Sequence, residues 1–218
     1  MPFAVRHRRD PIPRLDPLPG LAVRREDDAA VMAALQGRSE AEMTRRMTAG
    51  HRAYVAWRDG EPAAWGWVAT ATADIGELGA SFTLPRGERY LWNFVTRPEH
   101  RGLGVYPRLV DAIVRAEARE AERFWIAYAP ENHASGTGIR RAGFVTLADL
   151  SFDAAGRAAL RDVVKGGARV ASRVLGVPEA HEPLAPCWRC VRAGRGTMSC
   201  APEQCRCDYQ RAHSGCAA

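Results

Sequence analysis

The 218-residue chain is 46% apolar and 26% charged, enough for one sizeable core with appendages and marginal for two full domains. No run of about 18 apolar residues exists, so no membrane-spanning helix is expected, and residues 1–9 lack the apolar stretch of a secretory signal; membrane insertion is not expected and a cytoplasmic location is. The net charge of +6 rests almost wholly on arginine, Lys165 being the sole lysine, and no dense basic run interleaves with aromatics, which speaks against a nucleic-acid partner.

Residues 1–20 are rich in proline and arginine without periodicity and read as a flexible lead-in. Leu21 to Val23 starts a short strand. Asp27 or Asp28 can cap a helix through Leu35 that ends at Gly37, and Ser39 with Glu42 three residues on marks the start of a second helix toward Met47. Ala53–Trp57 and Ala63–Thr72 are strands joined through Asp59-Gly60, a hairpin signal. A glycine- and proline-bearing loop follows. Tyr90 to Thr96 is apolar enough for a strand buried on both faces. Val105, Leu109, Ala112, Ile113 and Ala116 define one face of a helix, with Arg and Glu on a solvated face. Phe124 to Tyr128 is the next strand, and Asn132 to Arg141 a short helix closed by Gly143. Phe144–Leu147 and Leu150–Phe152 are late strands. Ala154 to Leu175 reads as an amphipathic helix weakened at Gly166-Gly167, free to pack on the domain, on another subunit or on an anionic surface.

Between the Tyr90–Thr96 strand and its following helix lies Arg101-Gly102-Leu103-Gly104-Val105-Tyr106. Glycines there let the chain turn tightly, and the first amides of a helix lack intrahelical acceptors, so the loop can cradle a pyrophosphate, with Arg101 and Arg108 adding charge. A plain strand-to-helix turn is the alternative. Pro107 stands where a third glycine of a dinucleotide fingerprint would be, and no Gly-Lys-Ser/Thr is present.

The loop resembles the Q/R-x-x-G-x-G/A signature of the GNAT superfamily of acyl-CoA-dependent N-acetyltransferases, and Glu131-Asn132 with Arg140 to Phe144 is similar to that family's second landmark. The resemblance covers about residues 20–152. Beyond its span the residues themselves read as a helical segment (153–177) and a Pro- then Cys-rich tail (178–218), while the resemblance implies an α/β (α+β) fold with a mixed, mostly antiparallel central sheet flanked by helices. It also implies transfer of an acetyl group from acetyl-CoA, or another acyl-CoA, to a small-molecule amine or peptide. A homodimer is compatible with it. The strands at Tyr90–Thr96 and Phe124–Tyr128 would splay; Phe94, Val95 and Thr96 would meet the pantetheine amides, Arg101, Gly102, Leu103, Gly104, Val105 and Tyr106 the pyrophosphate, and Asn132 and Ser135 the pantetheine arm. Two positions depart from the family: Tyr106 replaces a small residue, and Ile139 stands where many members carry the tyrosine that protonates the leaving thiolate. Tyr128 is the substitute by position, with a core aromatic as the equal alternative. Asn93 could orient substrate or make a structural hydrogen bond. His133, Glu77, Glu88 and Glu99 are candidate bases, each also readable as a surface residue. A non-catalytic acyl-CoA sensor or partner-binding module is the second functional reading.

All six cysteines lie between Cys187 and Cys216. The Cys187-x2-Cys190 pair suits zinc, with Cys200, Cys205 and Cys207 as further ligands. An iron–sulfur cluster and a reduced or redox-active tail remain open, because the second half is not a standard knuckle.

Overall fold

The computed structural model describes residues 1–76, 79–182 and 184–185; the six cysteines, and with them the expected metal ligands Cys187, Cys190, Cys200, Cys205 and Cys207, lie outside the described residues, as does the candidate base Glu77. Among the described residues no helix is long and apolar enough to cross a membrane, and no cluster of three potential metal ligands occurs.

Strands β1 (Pro2–His7) and β2 (Leu21–Glu26) precede helices α1 (Ala29–Gln36) and α2 (Glu40–Thr48). The Asp28 carboxylate accepts from the Ala30 and Val31 amides and Gly37 ends α1 in the left-handed region, while Ser39 Oγ accepts from the Glu42 amide, so both helix starts follow the capping signals. Strands β3 (His51–Arg58) and β4 (Glu61–Ala69) form the expected hairpin. The next segment, read from sequence as a loop, holds a small hairpin of β5 (Thr72–Ile75) and β6 (Ala80–Thr83), whose alternate residues Ala73, Ile75 and Phe82 turn into the core. Then come β7 (Glu88–Thr96), a 3-10 turn at Pro98–His100, α3 (Val105–Glu117), β8 (Arg123–Ala127), α4 (His133–Arg141), β9 (Val145–Phe152), β10 (Ala158–Asp162) and α5 (Gly167–Leu175).

The main sheet has the order β10-β9-β1-β8-β7-β4-β3-β2. Every neighbouring pair is antiparallel except β7 and β8, which are parallel and joined through α3. One face packs on α3 and α4 through Leu91, Leu109, Ile113, Phe124 and Ile126. The other is covered by α5 and the small hairpin at one end and by α1 and α2 at the other.

Four expectations are corrected. Residues 2–7 are not part of a flexible lead-in: β1 is an interior strand between β8 and β9, with Phe3 and Ala4 fully buried. The signal was short, because an interior strand of six residues between prolines and arginines shows little periodicity. The two late strands are one, β9: Ala148 and Asp149 pair with both β1 and β10, and Leu147 sits at a register shift against β1. The helix expected over residues 154–175 begins only at Gly167. Ahead of it the chain forms β10, and Gly166 in the left-handed region (φ +78°) makes the turn. Residues 178–182 and 184–185 stay on the body: the Leu160 amide donates to Pro178 O, and Ser151 Oγ to Ala185 O, at 2.8 Å each.

The α3 stripe is also rotated from the expected one. Val110 and Val114 are buried in place of Ala112 and Ala116, and two acids, Asp111 and Glu117, go under with them. Each buried acid meets arginines supplied by the sheet, as a desolvated charge requires. Asp111 takes Arg6 of β1 at 2.7 Å, and Arg6 also donates to Ala142 O at 2.9 Å, tying β1 to α3 and α4. Glu117 accepts from Arg52 (2.8 Å), Arg89 (2.9 Å) and the Tyr54 hydroxyl (2.7 Å).

Candidate active site

Strands β7 and β8 pair from Glu88–Arg123 to Leu91–Ile126 and then part. The cause lies on the other flank of β7. Trp67 of β4 opposes Trp92 and Trp65 opposes Val95, so Gly66 faces both Asn93 and Phe94. That is a β-bulge, with Asn93 in the left-handed region (φ +53°). Asparagine tolerates that conformation better than most residues. Gly66 is required because a Cβ there would strike the Phe94 ring. The bulge bends β7 away from β8 and opens a cleft between Phe94–Thr96 and Ala127–Tyr128.

At the far end of β7 the chain enters the glycine loop. Gly102 (φ +76°) and Gly104 (φ +74°) are both left-handed, and Gly104 caps α3 with no side chain bonded to the helix amides. The α3 N-terminus therefore presents backbone donors without a side-chain acceptor, together with the positive end of its dipole. Arg101 and Leu103 are exposed; Arg101 Nε donates to Thr96 O at 3.1 Å. Arg108, expected to add charge at the loop, has its guanidinium on the carbonyls of Gly104 (2.8 Å) and Asp16.

Tyr106 points away from the loop. Its ring meets Phe94 edge-on (5.4 Å between centroids), its hydroxyl lies 3.4 Å from Ser135 Oγ, and Gly138 of α4 has no Cβ to collide with it. Burial pushes the phenol up to about 12. Val105 is buried beneath the loop. Asn132 caps α4, its Oδ1 accepting from the Ser135 amide at 3.0 Å, which positions Ser135 beside Tyr106. Ile139 is buried in the core and offers no proton.

A cavity of about 590 Å³ opens on the α1–α2 side of the cleft, lined among others by Asn93, Val95 and Tyr128, a size usual for small-molecule sites. Tyr128 stands over Gly136 of α4, where a Cβ would lie 3.2 Å from its hydroxyl. Asn93 Nδ2 donates to Gln36 Oε1 at 3.1 Å, and Gln36 also accepts from Arg46 at 3.4 Å. Gln36 was not singled out from the sequence; as the last residue of a helix before a glycine it carried no signal. Neither was Asp74, a cavity carboxylate on the small hairpin. His133 opens α4, is exposed, and does not line the cavity. Glu88 is buried under the sheet, accepting from the Trp125 indole and pairing with Arg123 at 3.3 Å, and Glu99 pairs with Arg97 at 2.9 Å; neither lines the cavity.

The parted parallel strands, the bulge and the glycine loop at a helix start define a mixed α/β protein with a split sheet beside a helix N-terminus. The sequence model of the GNAT acetyltransferase domain matches residues 11–145, more than half of the chain, and the protein belongs to that family. Solved structures of similar fold include a GCN5-related N-acetyltransferase from Kribbella flavida (16% identity, 66% of this chain and 53% of that one, TM-score 0.46). Others are a GNAT-family protein from Novosphingobium aromaticivorans (22%, 66% and 59%, 0.45) and a ribosomal-protein-alanine N-acetyltransferase from Brucella melitensis (12%, 62% and 96%, 0.46). The chain thus spans about half the length of the first two. No curated protein matches the sequence.

Proposed function

We propose that the protein is an N-acyltransferase that moves an acetyl group from acetyl-CoA to a primary amine. The observation that carries this reading is the parting of β7 from β8 at the Asn93 bulge, directly ahead of the uncapped α3 N-terminus. In this reading the backbone of Phe94, Val95 and Thr96 holds the pantetheine amides and the amides from Arg101 to Tyr106 hold the pyrophosphate. Asn132 and Ser135 border the pantetheine arm. The acyltransferase domain takes in residues 1–185, so the Cys-rich tail starts after Ala185. The tail's role, a zinc site included, stays a separate proposal.

The acceptor enters from the cavity. Its amine must be neutral to attack, so water or a cavity group takes one proton. The nitrogen lone pair forms the C–N bond, and the carbonyl oxygen carries negative charge toward a backbone N–H at Val95. The carbonyl re-forms as the C–S bond breaks, the thiolate takes a proton from the Tyr128 hydroxyl, the phenol of the cavity wall that stands nearest α4, and the surplus proton on the acylated nitrogen passes through water to restore that phenol. Asn93, held by Gln36, orients the amine or its water.

The test combines calorimetry with acetyl-CoA and thiol release over a panel of amines. Binding with turnover is expected. Binding without turnover of any amine would favour an acyl-CoA sensor, a reading to which the buried Ile139 lends some weight.

A further inference from the structure

The cavity's charges select among amines. Arg38, in the turn between α1 and α2, and Arg46 of α2 both line it, and Asp74 of β5 is its one carboxylate among the described residues. Arg46 pairs with Glu42 at 2.6 Å and donates to Gln36 at 3.4 Å, and its guanidinium lies 5.0 Å from the Trp92 ring centroid. A guanidinium on an aromatic face keeps its edge donors available in a fixed plane. Arg38 is exposed and makes no ion pair among the described residues. Asp74 accepts from Ser81 Oγ at 2.5 Å and likewise pairs with no cation there. The remaining wall includes the aromatic side chains of Trp65, Tyr90 and Trp92, with Gln36 and Asn93 as neutral polar groups.

A polycationic acceptor would meet two arginines and a single carboxylate, and like charges in a partly enclosed site repel at low effective dielectric. An acceptor with one amine and one acid group meets the opposite balance. Arginine suits the acid group, because its planar fork bonds a carboxylate through two parallel N–H donors. The aromatic wall suits an apolar body between the two.

From this we infer that the acceptor is an amine bearing a carboxylate on an apolar or aromatic body, with Arg38 and Arg46 receiving the carboxylate and Asp74 drawing the ammonium into the cavity before it loses its proton. The inference rests on the acyltransfer reading above and names the acceptor class for that site.

The experiment measures thiol release from acetyl-CoA with phenylalanine, leucine and methionine, with their methyl esters, with phenethylamine, and with spermidine and kanamycin. The free amino acids are expected to be used with kcat/KM about tenfold or more above their esters, the loss of one charge-assisted contact. Arg38→Ala is expected to raise KM about tenfold for the acids and to leave KM for the esters and the affinity for acetyl-CoA unchanged. A preference for spermidine or kanamycin, or an unaltered KM for the acids in Arg38→Ala, overturns the inference while acyl transfer stands. Failure of the wild-type protein to bind acetyl-CoA in calorimetry, or binding with no amine turned over, overturns both.

Discussion

One glycine and two tyrosines decide most of what the site can do. Gly66 lets the Phe94 ring lie against β4 and so permits the bulge. Gly66→Ala places a methyl group in that ring's position and is expected to destabilise the fold by about 1–3 kcal/mol through overpacking. A urea titration checks this, and an unchanged midpoint would mean that Phe94 moves aside freely. Tyr128→Phe removes the hydroxyl proposed to protonate the thiolate. The expected result is a fall in kcat of about 100-fold with unchanged acetyl-CoA affinity. A kcat within twofold of wild type would return Tyr128 to the status of a wall aromatic. Tyr106, by contrast, is held against Phe94 and Gly138, with its phenol pushed up to about 12 by burial, and its hydroxyl is a poor proton source at neutral pH.

At the scale of elements, helix starts and the hairpin at Asp59-Gly60 were legible because capping and turn chemistry are local. The glycine loop was legible because its residues share one short stretch between a strand and a helix. What the sequence concealed is non-local. An interior strand at residues 2–7 draws its partners from β8 and β9, more than a hundred residues away. The parting of β7 from β8 is set by Gly66, whose partner Phe94 is distant in sequence. Asp111 and Glu117 looked like surface acids of α3 because the arginines that bury them come from other strands. Glu117 is the sharper case. Burial pushes its carboxyl up, but hydrogen bonds from Tyr54, Arg89 and Arg52 outweigh this and hold it below the usual carboxylate range. A carboxyl depressed in the folded state stabilises the fold above its unfolded value of roughly 4.3 and loses that contribution as pH falls through the folded value. Glu117→Gln is therefore expected to cost about 3 kcal/mol near neutral pH, since Arg89 is left buried with a weaker partner, and to show a shallower loss of stability below about pH 4. Denaturant titrations at pH 7 and pH 3.5 check both; equal losses at the two pH values would place the effect elsewhere.

Across the whole molecule, one sheet carries two separate tasks. Its α3–α4 face holds the loop and the groove proposed for pantetheine, and its α1–α2 face holds the cavity proposed for the acceptor, with the β7–β8 gap between them. The body includes residues 178–182 and 184–185, which bond to β9 and β10. A truncation after Ala185 is accordingly expected to keep both melting temperature and acetyl-CoA affinity, whereas one after Glu179 should lower the melting temperature by removing the buried Ala185 and its bond from Ser151. Loss of acetyl-CoA binding in the longer truncate would make the Cys-rich tail part of the site. The central claim is that the Arg101–Tyr106 loop and the α3 N-terminus hold the pyrophosphate of an acyl-CoA. The direct measurement is calorimetric titration of acetyl-CoA into the wild-type protein and into Gly104→Val, which forces a β-branched residue into a left-handed position beside Arg108. Saturable binding to the wild-type protein, weakened at least about tenfold in a variant that remains folded by circular dichroism, is the predicted result; equal affinities in the two proteins, or no binding to either, would contradict it.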